Sequence, residues 1–169
     1  MKRIVIHWSG GTNYPNLTDL QHYHKLVDEN GKIYNGKFPI SANEVCKADK
    51  NGNALYAAHT GGGNTGSIGV AMCGMSGFSN RVNVGKYPLK KVQCEACFKL
   101  CAELCKEYNI IISPQTVMTH YEFGLKHRNT SSVGKIDIIY LSPYPDVKQA
   151  EIGDFIRNKV LGYYKNLCS

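Results

Sequence analysis

The chain opens with a short apolar run that predicts a buried strand. Ile4, Val5 and Ile6 are three consecutive β-formers, and the run continues through His7 and Trp8 before it meets a pair of glycines. We therefore expect a central strand that ends at His7, with this histidine at an edge of the sheet facing a loop. The glycine-, asparagine- and proline-rich residues 10–18 predict that loop.

Further strands and a hairpin follow along the chain. Residues 22–28 and 32–36 predict two strands joined at Asn30-Gly31, because both residues tolerate the positive φ of a type I′ turn. Residues 67–73 predict another strand after a glycine-rich loop at residues 60–66. That loop lacks the Gly-Lys-Ser/Thr ending of a phosphate-binding loop and precedes a strand, so we expect no nucleotide site there.

Two longer segments have the spacing of amphipathic helices. Residues 89–108 place apolar side chains on one face and charged side chains mostly on the other, and residues 149–167 repeat the pattern. A short strand at residues 117–120 lies between them. Strands that alternate with helices indicate an α/β fold, and we expect a single domain over residues 1–169 with a central mixed β-sheet flanked by helices.

Composition and charge narrow the possible partners. Of the 169 residues, 43% are hydrophobic and 20% charged, as in an ordinary globular protein, and no apolar run reaches membrane-spanning length. The net charge of +7 favours a polyanionic partner, such as nucleic acid, an anionic membrane surface or an anionic bacterial wall. The basic residues are scattered and form no nucleic-acid-binding signature, so we expect no nucleic-acid partner and no membrane insertion.

The seven cysteines are expected to be reduced thiols, because their number is odd and no apolar signal region follows Lys2-Arg3. Cys94, Cys97, Cys101 and Cys105 allow two interpretations. Cys-x-x-Cys is a familiar metal-ligand spacing. On a helix, however, these four residues fall along one stripe with neighbouring leucines, which favours a buried core stripe.

Three polar residues are candidates for a hydrolytic metal site. His7 and His120 each end a predicted strand, and Asp137 could add a carboxylate oxygen. A catalytic zinc ion takes three such protein ligands and keeps one position open for water. From the residues alone, unrelated surface histidines remain the simpler alternative.

Five segments, taken in order, resemble the type 2 N-acetylmuramoyl-L-alanine amidases, a family that includes phage endolysins and is similar to animal peptidoglycan recognition proteins. The resemblance extends from the N-terminus to about Asp137. Its segments are Ile-His-Trp-Ser at residues 6–9, the Tyr-His-Lys-Leu-Val and Asp-Glu-Asn-Gly-Lys-Ile-Tyr-Asn-Gly runs within residues 23–36, His59 before the glycine loop, Ser-Ile-Gly-Val at residues 67–70, and His-Tyr-Glu at residues 120–122.

The resemblance implies a zinc hydrolase that cuts the amide between N-acetylmuramic acid and L-alanine of peptidoglycan. It implies that Zn²⁺ is held by His7, His120 and Asp137, with Asp146 as the alternative to the third ligand because the spacer after His120 is long. Lys135 matches the lysine that faces the developing oxyanion. Tyr23 matches the tyrosine that contacts the attacking water, although some members have glutamate there.

Two further residues have weaker assignments. We expect His59 to contact substrate from the glycine loop and Glu122 to accept a hydrogen bond from a ligand imidazole, on the same strand face as His120. Each residue also has a simpler interpretation: His59 as a loop histidine, Glu122 as a salt-bridge partner, Tyr23 as a half-buried hairpin aromatic and Lys135 as a solvated surface cation.

The leading functional hypothesis is a monomeric, bacteriolytic peptidoglycan amidase of the endolysin type, without a separate cell-wall-binding domain. It would be cytoplasmic as synthesised and would reach the wall through a holin or an export machinery. The first alternative is a non-catalytic muropeptide-binding module of the same fold. The second, a regulatory protein that binds nucleic acid or a polymerase, rests on the net charge alone.

Overall fold

Five strands form one mixed sheet in the computed structural model, which describes residues 1–169. The strand order is β3-β2-β4-β1-β5, and only the β2–β3 pair is antiparallel. The strands are β1 (Arg3–Trp8), β2 (Lys25–Val27), β3 (Ile33–Asn35), β4 (Ser67–Met72) and β5 (Val117–Thr119). The predicted α/β class with a central mixed sheet is confirmed.

Four α-helices accompany the sheet, and the two long ones pack against each other and on one of its faces. They are α1 (Leu17–His22), α2 (Lys91–Glu107), α3 (His120–Lys126) and α4 (Ile152–Cys168), with short 3₁₀ helices at Ile40–Asn43 and Gln149–Glu151. None of these helices combines the length and the apolar character that crossing a membrane requires. The predicted long helix and C-terminal helix correspond to α2 and α4.

The side chains of β1 alternate between the two faces of the sheet, and the two faces differ in the residues that pack on them. Ile4, Ile6 and Trp8 join the main hydrophobic core beneath α2 and α4. Val5 and His7 point to the opposite face, since successive side chains of a strand alternate, and both are fully buried there. The sheet therefore separates a helix-covered core from the face that holds the candidate chemistry.

The cysteine stripe of α2 lies in that core. Cys94, Cys97, Cys101 and Cys105 are buried among the apolar side chains between the sheet and α4, and all are free thiols. They form no group with metal-binding geometry. The core interpretation of the stripe is therefore confirmed.

His7 lies on a strand inside the sheet, as the predicted buried central strand requires, one residue before that strand ends at Trp8. Strand β1 has hydrogen-bonded neighbours on both sides, with His7 opposite Ala71 of β4. The edge strands are β3 and β5. His7 therefore belongs to a buried face in the middle of the sheet, where only its ring nitrogens can make polar contacts.

The hairpin at residues 25–35 is present, but its turn is not of type I′. Only Gly31 has a positive φ, +83°, whereas Asn30 does not. The Asp28 carboxylate stabilises a longer loop by accepting hydrogen bonds from the backbone N–H groups of Asn30 and Lys32, at 2.8 and 3.0 Å. A buried side chain that satisfies loop amides thus replaces the tight turn.

Two short helices were not predicted. Helix α1 replaces the end of the expected loop and the start of the expected strand, and it begins with a capping box between Asn16 and Asp19. Helix α3 begins with a capping box between Thr119 and Glu122, so β5 ends at Thr119 and His120 is the first helical residue. Both boxes are visible in the sequence as a capping residue followed three positions later by an acid.

Candidate metal centre

His7, His120 and Asp137 meet on the face of the sheet opposite the one that α2 and α4 cover. One oxygen of Asp137, Oδ2, lies 2.7 Å from His7 Nδ1 and 3.0 Å from His120 Nδ1. All three residues are buried, and their potential ligand atoms lie within 4.8 Å of one another. The structure therefore brings together three donors that are separated by up to 130 positions in the chain.

Strand pairing explains why the two histidines meet. Strands β1 and β5 are parallel neighbours with Ile6 paired to Thr119, so the residues that follow each lie side by side. The capping box at Thr119 then turns the chain into α3 and fixes the start of the helix where His120 stands. Asp137 lies on a later loop. Its backbone carbonyl oxygen accepts a hydrogen bond from the Tyr121 N–H at 3.4 Å, which holds this loop next to the start of α3.

The electrostatics of the group favour a cation between its members. Burial alone would raise the pKa of Asp137, but the hydrogen bonds with His120 and His7 hold that pKa well below its usual range. Burial lowers the pKa of His7 despite the opposing effect of Asp137, which keeps its ring neutral near pH 7. A neutral imidazole beside an ionised carboxylate is the protonation state that a divalent metal requires.

The donor set fits zinc. Imidazole nitrogen and carboxylate oxygen are among its usual ligands, and three protein ligands are typical of catalytic zinc sites. The exposed Asp146 is not part of the group. The arrangement can therefore hold the ion with the three residues that the sequence suggested, and the alternative third ligand is not needed.

The outer nitrogens of both imidazoles contact further polar groups, of which sequence reasoning had named only His59. His120 Nε2 lies 2.9 Å from Ser132 Oγ, and Ser132 Oγ lies 2.7 Å from the carbonyl oxygen of Gly61. His7 Nε2 lies 3.1 Å from His59 Nδ1 and 3.4 Å from Thr60 Oγ1. No local sequence signal marks Ser132, since its role depends on the approach of a loop 71 positions away.

His59 lies beneath the site, not in an accessible groove as expected of a substrate contact. The residue is 7% exposed, and its ring packs against the backbone of Gly69, where an added Cβ would be 2.5 Å from the ring. Its Nδ1 lies 2.7 Å from Thr60 Oγ1, and its Nε2 lies 3.4 Å from the Ser67 carbonyl oxygen. Both ring nitrogens are thus engaged within the protein.

Tyr23 stands next to the group. Its ring centroid is 5.1 Å from that of His7, and the side chain is half-buried at the end of α1. Burial raises the pKa of Tyr23, and the nearby charges of Asp137 and Asp19 raise it further. The phenol therefore keeps its proton and can donate a hydrogen bond at neutral pH.

Lys135 is exposed two residues before Asp137, and its backbone N–H donates to the Ser132 carbonyl oxygen at 3.2 Å. Its positive charge is one of the influences that lower the pKa of His7, so the cation lies within electrostatic reach of the site. Its side chain makes no hydrogen bond or ion pair with other residues that would hold it away from a bound substrate.

Glu122 does not contact a ligand imidazole, contrary to expectation. It lies on α3 and not on a strand, where its carboxylate accepts the Thr119 N–H and pairs with Arg157 of α4. Two residues along a helix do not share a face as they would along a strand. Glu122 therefore fixes the start of α3 and does not take part in the metal group.

Comparison with known proteins agrees with this geometry. The family model described as N-acetylmuramoyl-L-alanine amidase matches residues 1–135. The match includes His7, Tyr23, His59 and His120 and ends just before Asp137. No curated protein sequence matches the chain.

Several solved structures are similar to the chain at low sequence identity, and the first of them has a TM-score high enough to show the same fold. The N-acetylmuramoyl-L-alanine amidase LysC from Clostridium intestinale URNW has a TM-score of 0.55 and 16% identity, with 95% of this chain and 85% of that chain covered. The Ph2119 endolysin from Thermus scotoductus MAT2119 bacteriophage Ph2119 has a TM-score of 0.47 and 18% identity, covering 79% and 78%. Drosophila peptidoglycan recognition protein SD has a TM-score of 0.47 and 18% identity, covering 78% and 74%.

Proposed function

The chain belongs to the N-acetylmuramoyl-L-alanine amidase family, and from that premise we propose that it is a zinc-dependent enzyme that hydrolyses the amide between N-acetylmuramic acid and L-alanine in peptidoglycan. Membership of the family makes it a peptidoglycan amidase or a binding module of the same fold. The observation that favours the enzyme is the complete group of His7, His120 and Asp137 with both Nδ1 atoms directed at one carboxylate oxygen.

The three ligands would hold Zn²⁺, which when bound polarises a carbonyl and lowers the pKa of water. Lys135 would place its ammonium group near the oxygen of the scissile carbonyl, where negative charge develops. A fixed cation in such a place stabilises the transition state most strongly where water is excluded. Its exposed side chain has the freedom to reach a substrate that covers the site.

Tyr23 would act as a hydrogen-bond donor. Because its pKa is raised, the phenol does not serve as a general base near pH 7, and its O–H would orient the attacking water or the substrate. This leaves the ionised Asp137 as the nearest carboxylate, and its oxygen is already shared between the two imidazoles. The proton of the attacking water would therefore pass to a group of the substrate or solvent.

The net charge of +7 supports the bacterial wall as the place of action, because anionic polymers attract a basic protein. We further propose that the protein acts as a monomeric endolysin that reaches the wall with the help of a holin or an export machinery.

The test combines zinc analysis with product mapping. Purified protein should contain one zinc per chain and should convert muropeptides into a glycan that carries free lactyl groups and peptides that begin with L-alanine, as read by mass spectrometry. His120→Ala should lose zinc and product together. His127→Ala, which removes an exposed histidine outside the metal group, should retain both. A wild-type protein without metal that binds muropeptide and leaves it intact would identify the binding module.

A further inference from the structure

We propose that Ile138 is a positioning residue, whose buried side chain holds Asp137 in the direction that the metal group requires. Ile138 follows Asp137 in the chain and has a backbone φ of +69°, and it is the one β-branched residue of the chain with a positive φ. The inference rests on the proposed function, because it concerns a ligand of the same metal group.

Asp137 and Ile138 are the two central residues of a four-residue turn. The Ile139 N–H donates a hydrogen bond to the Ile136 carbonyl oxygen at 3.1 Å and closes this turn. Ile138, the third residue of the turn, has a positive φ and Asp137 does not. That combination is the pattern of a type II turn, which ordinarily has glycine or asparagine at the third place. An isoleucine there is therefore unexpected.

A positive φ is unfavourable for isoleucine, because its Cβ comes too close to the following carbonyl oxygen. The preceding turn, which the Lys135 N–H closes on the Ser132 carbonyl oxygen at 3.2 Å, has the ordinary residue at the equivalent place, Gly134 with a φ of +77°. A strained residue such as Ile138 persists only where the surrounding structure holds it, and such residues are concentrated at functional sites.

Burial of the Ile138 side chain holds the turn in this conformation. Ile138 is 1% exposed and belongs to the main hydrophobic core that α2 and α4 cover. The Asp137 carboxylate instead lies against His7 and His120. The one backbone hydrogen bond from the turn to another element, from the Tyr121 N–H to the Asp137 carbonyl oxygen, is long at 3.4 Å. The core contact of Ile138 therefore fixes the direction of its neighbour.

Ile138→Gly separates this anchor from the backbone conformation. Glycine adopts a positive φ without strain, so the turn remains allowed and only the side chain in the core is lost. Zinc affinity, measured by competition with a chromophoric chelator, should fall about 10-fold or more, as when other groups that orient metal ligands are removed. The visible spectrum of the Co²⁺-substituted protein should also change. Ile138→Val keeps a branched apolar side chain and should restore wild-type affinity and spectrum.

Ile156→Ala is the matched control, since Ile156 is equally buried in the same core but lies on α4, outside the turn. It should lower the urea midpoint of the metal-free protein and leave zinc affinity and the Co²⁺ spectrum unchanged. Equal zinc affinity in wild type and in Ile138→Gly, with both folded by circular dichroism, would overturn the role of Ile138 while the proposed function stands.

A crystal structure of the zinc-loaded wild-type protein provides a test that does not depend on the folding of any variant. It should show a positive φ at Ile138 with Asp137 bound to the metal. A negative φ at Ile138, or a third ligand other than Asp137, would overturn the positioning role. Failure of the wild-type protein to bind zinc at all would overturn the proposed function and this role with it.

Discussion

Arg157 and Glu122 form a two-point ion pair that ties the C-terminal helix to the start of α3. Arg157 Nη1 and Nη2 donate to the two carboxylate oxygens of Glu122, each at 3.0 Å, and Nη1 also donates to the Val117 carbonyl oxygen at 3.0 Å. Glu122 in turn accepts the Thr119 N–H at 3.0 Å. The pair thus supports the turn between β5 and α3 that places His120.

Loss of this ion pair should lower the stability of the folded protein. Arg157→Ala leaves a largely buried carboxylate without its partner and should lower the free energy of unfolding by about 3 kcal/mol. Urea denaturation of the metal-free protein measures this change. Asp154→Ala removes the exposed partner of the same arginine and should cost no more than about 1 kcal/mol. An equal decrease in the free energy of unfolding in the two variants would show that the ion pair with Glu122 stabilises the protein no more than the exposed pair with Asp154.

Lys135→Ala should separate catalysis from metal binding. Removal of a group that stabilises a developing oxyanion lowers kcat by roughly 10²- to 10³-fold, whereas zinc content should remain at one per chain because the lysine is not a ligand. Kinetics on purified muropeptides and elemental analysis give the two readings. Lys165→Ala, at an exposed position in the last turn of α4, should change neither. A parallel loss of zinc in Lys135→Ala would remove the proposed role.

Tyr23→Phe should lower turnover with little effect on folding, since only one hydroxyl is lost. We expect a decrease of roughly 10²-fold in kcat, within the range of a group that assists proton transfer or orientation. Because burial raises the pKa of this phenol, the activity of the wild-type protein should show no ionisation of Tyr23 around neutral pH. Tyr14→Phe serves as the control on an exposed tyrosine, and an unchanged rate in Tyr23→Phe would exclude a catalytic role.

His24 should make the fold sensitive to acid. Its Nδ1 accepts the Gly69 N–H and its Nε2 donates to Asn43, both at 2.9 Å. Burial lowers the pKa of His24 to about 4, against the opposing effect of the Asn43 bond. The unfolded chain, with an ordinary histidine pKa near 6.5, binds the proton more readily between these values. Stability is therefore lost as pH falls from about 6.5 to about 4, by up to about 3 kcal/mol.

Urea denaturation with a chelator present, at several pH values, measures this contribution as the difference between wild type and His24→Gln. The variant keeps a donor and an acceptor and should show a shallower dependence on pH. His22→Gln changes an exposed histidine and should follow the wild-type curve. Identical slopes in His24→Gln and the wild-type protein would contradict the prediction.

The sequence located the parts of the molecule whose signals are local. The apolar run around Ile6 predicted β1, and the stripe through Cys97 and Cys101 predicted the buried face of α2. The start of α3 was missed although Thr119 and Glu122 form a readable capping box, because the apolar residues before it favoured a strand. That error also gave Glu122 the wrong partner, since Arg157 is brought to it only by the packing of α4.

Some residues of the candidate site could be predicted from the sequence, and others could not. The family resemblance suggested His7, His120 and Asp137, and the structure brings all three together. Ser132 and the buried position of His59 could not be predicted, because both depend on how closely a glycine loop approaches segments far away in the chain. Pairwise contacts of this kind leave no periodic trace in a single sequence.

The alternation of side chains along β1 places core residues on one face of the sheet and a metal-binding candidate on the other. Ile4, Ile6 and Trp8 face the helices, while His7 faces the metal group. A one-residue deletion within this strand would exchange the two sets, and it would bury an imidazole among aliphatic side chains while turning isoleucines toward the ligands. A shift of the strand by one residue would therefore disrupt the packing of the core and the position of the metal-binding histidine together.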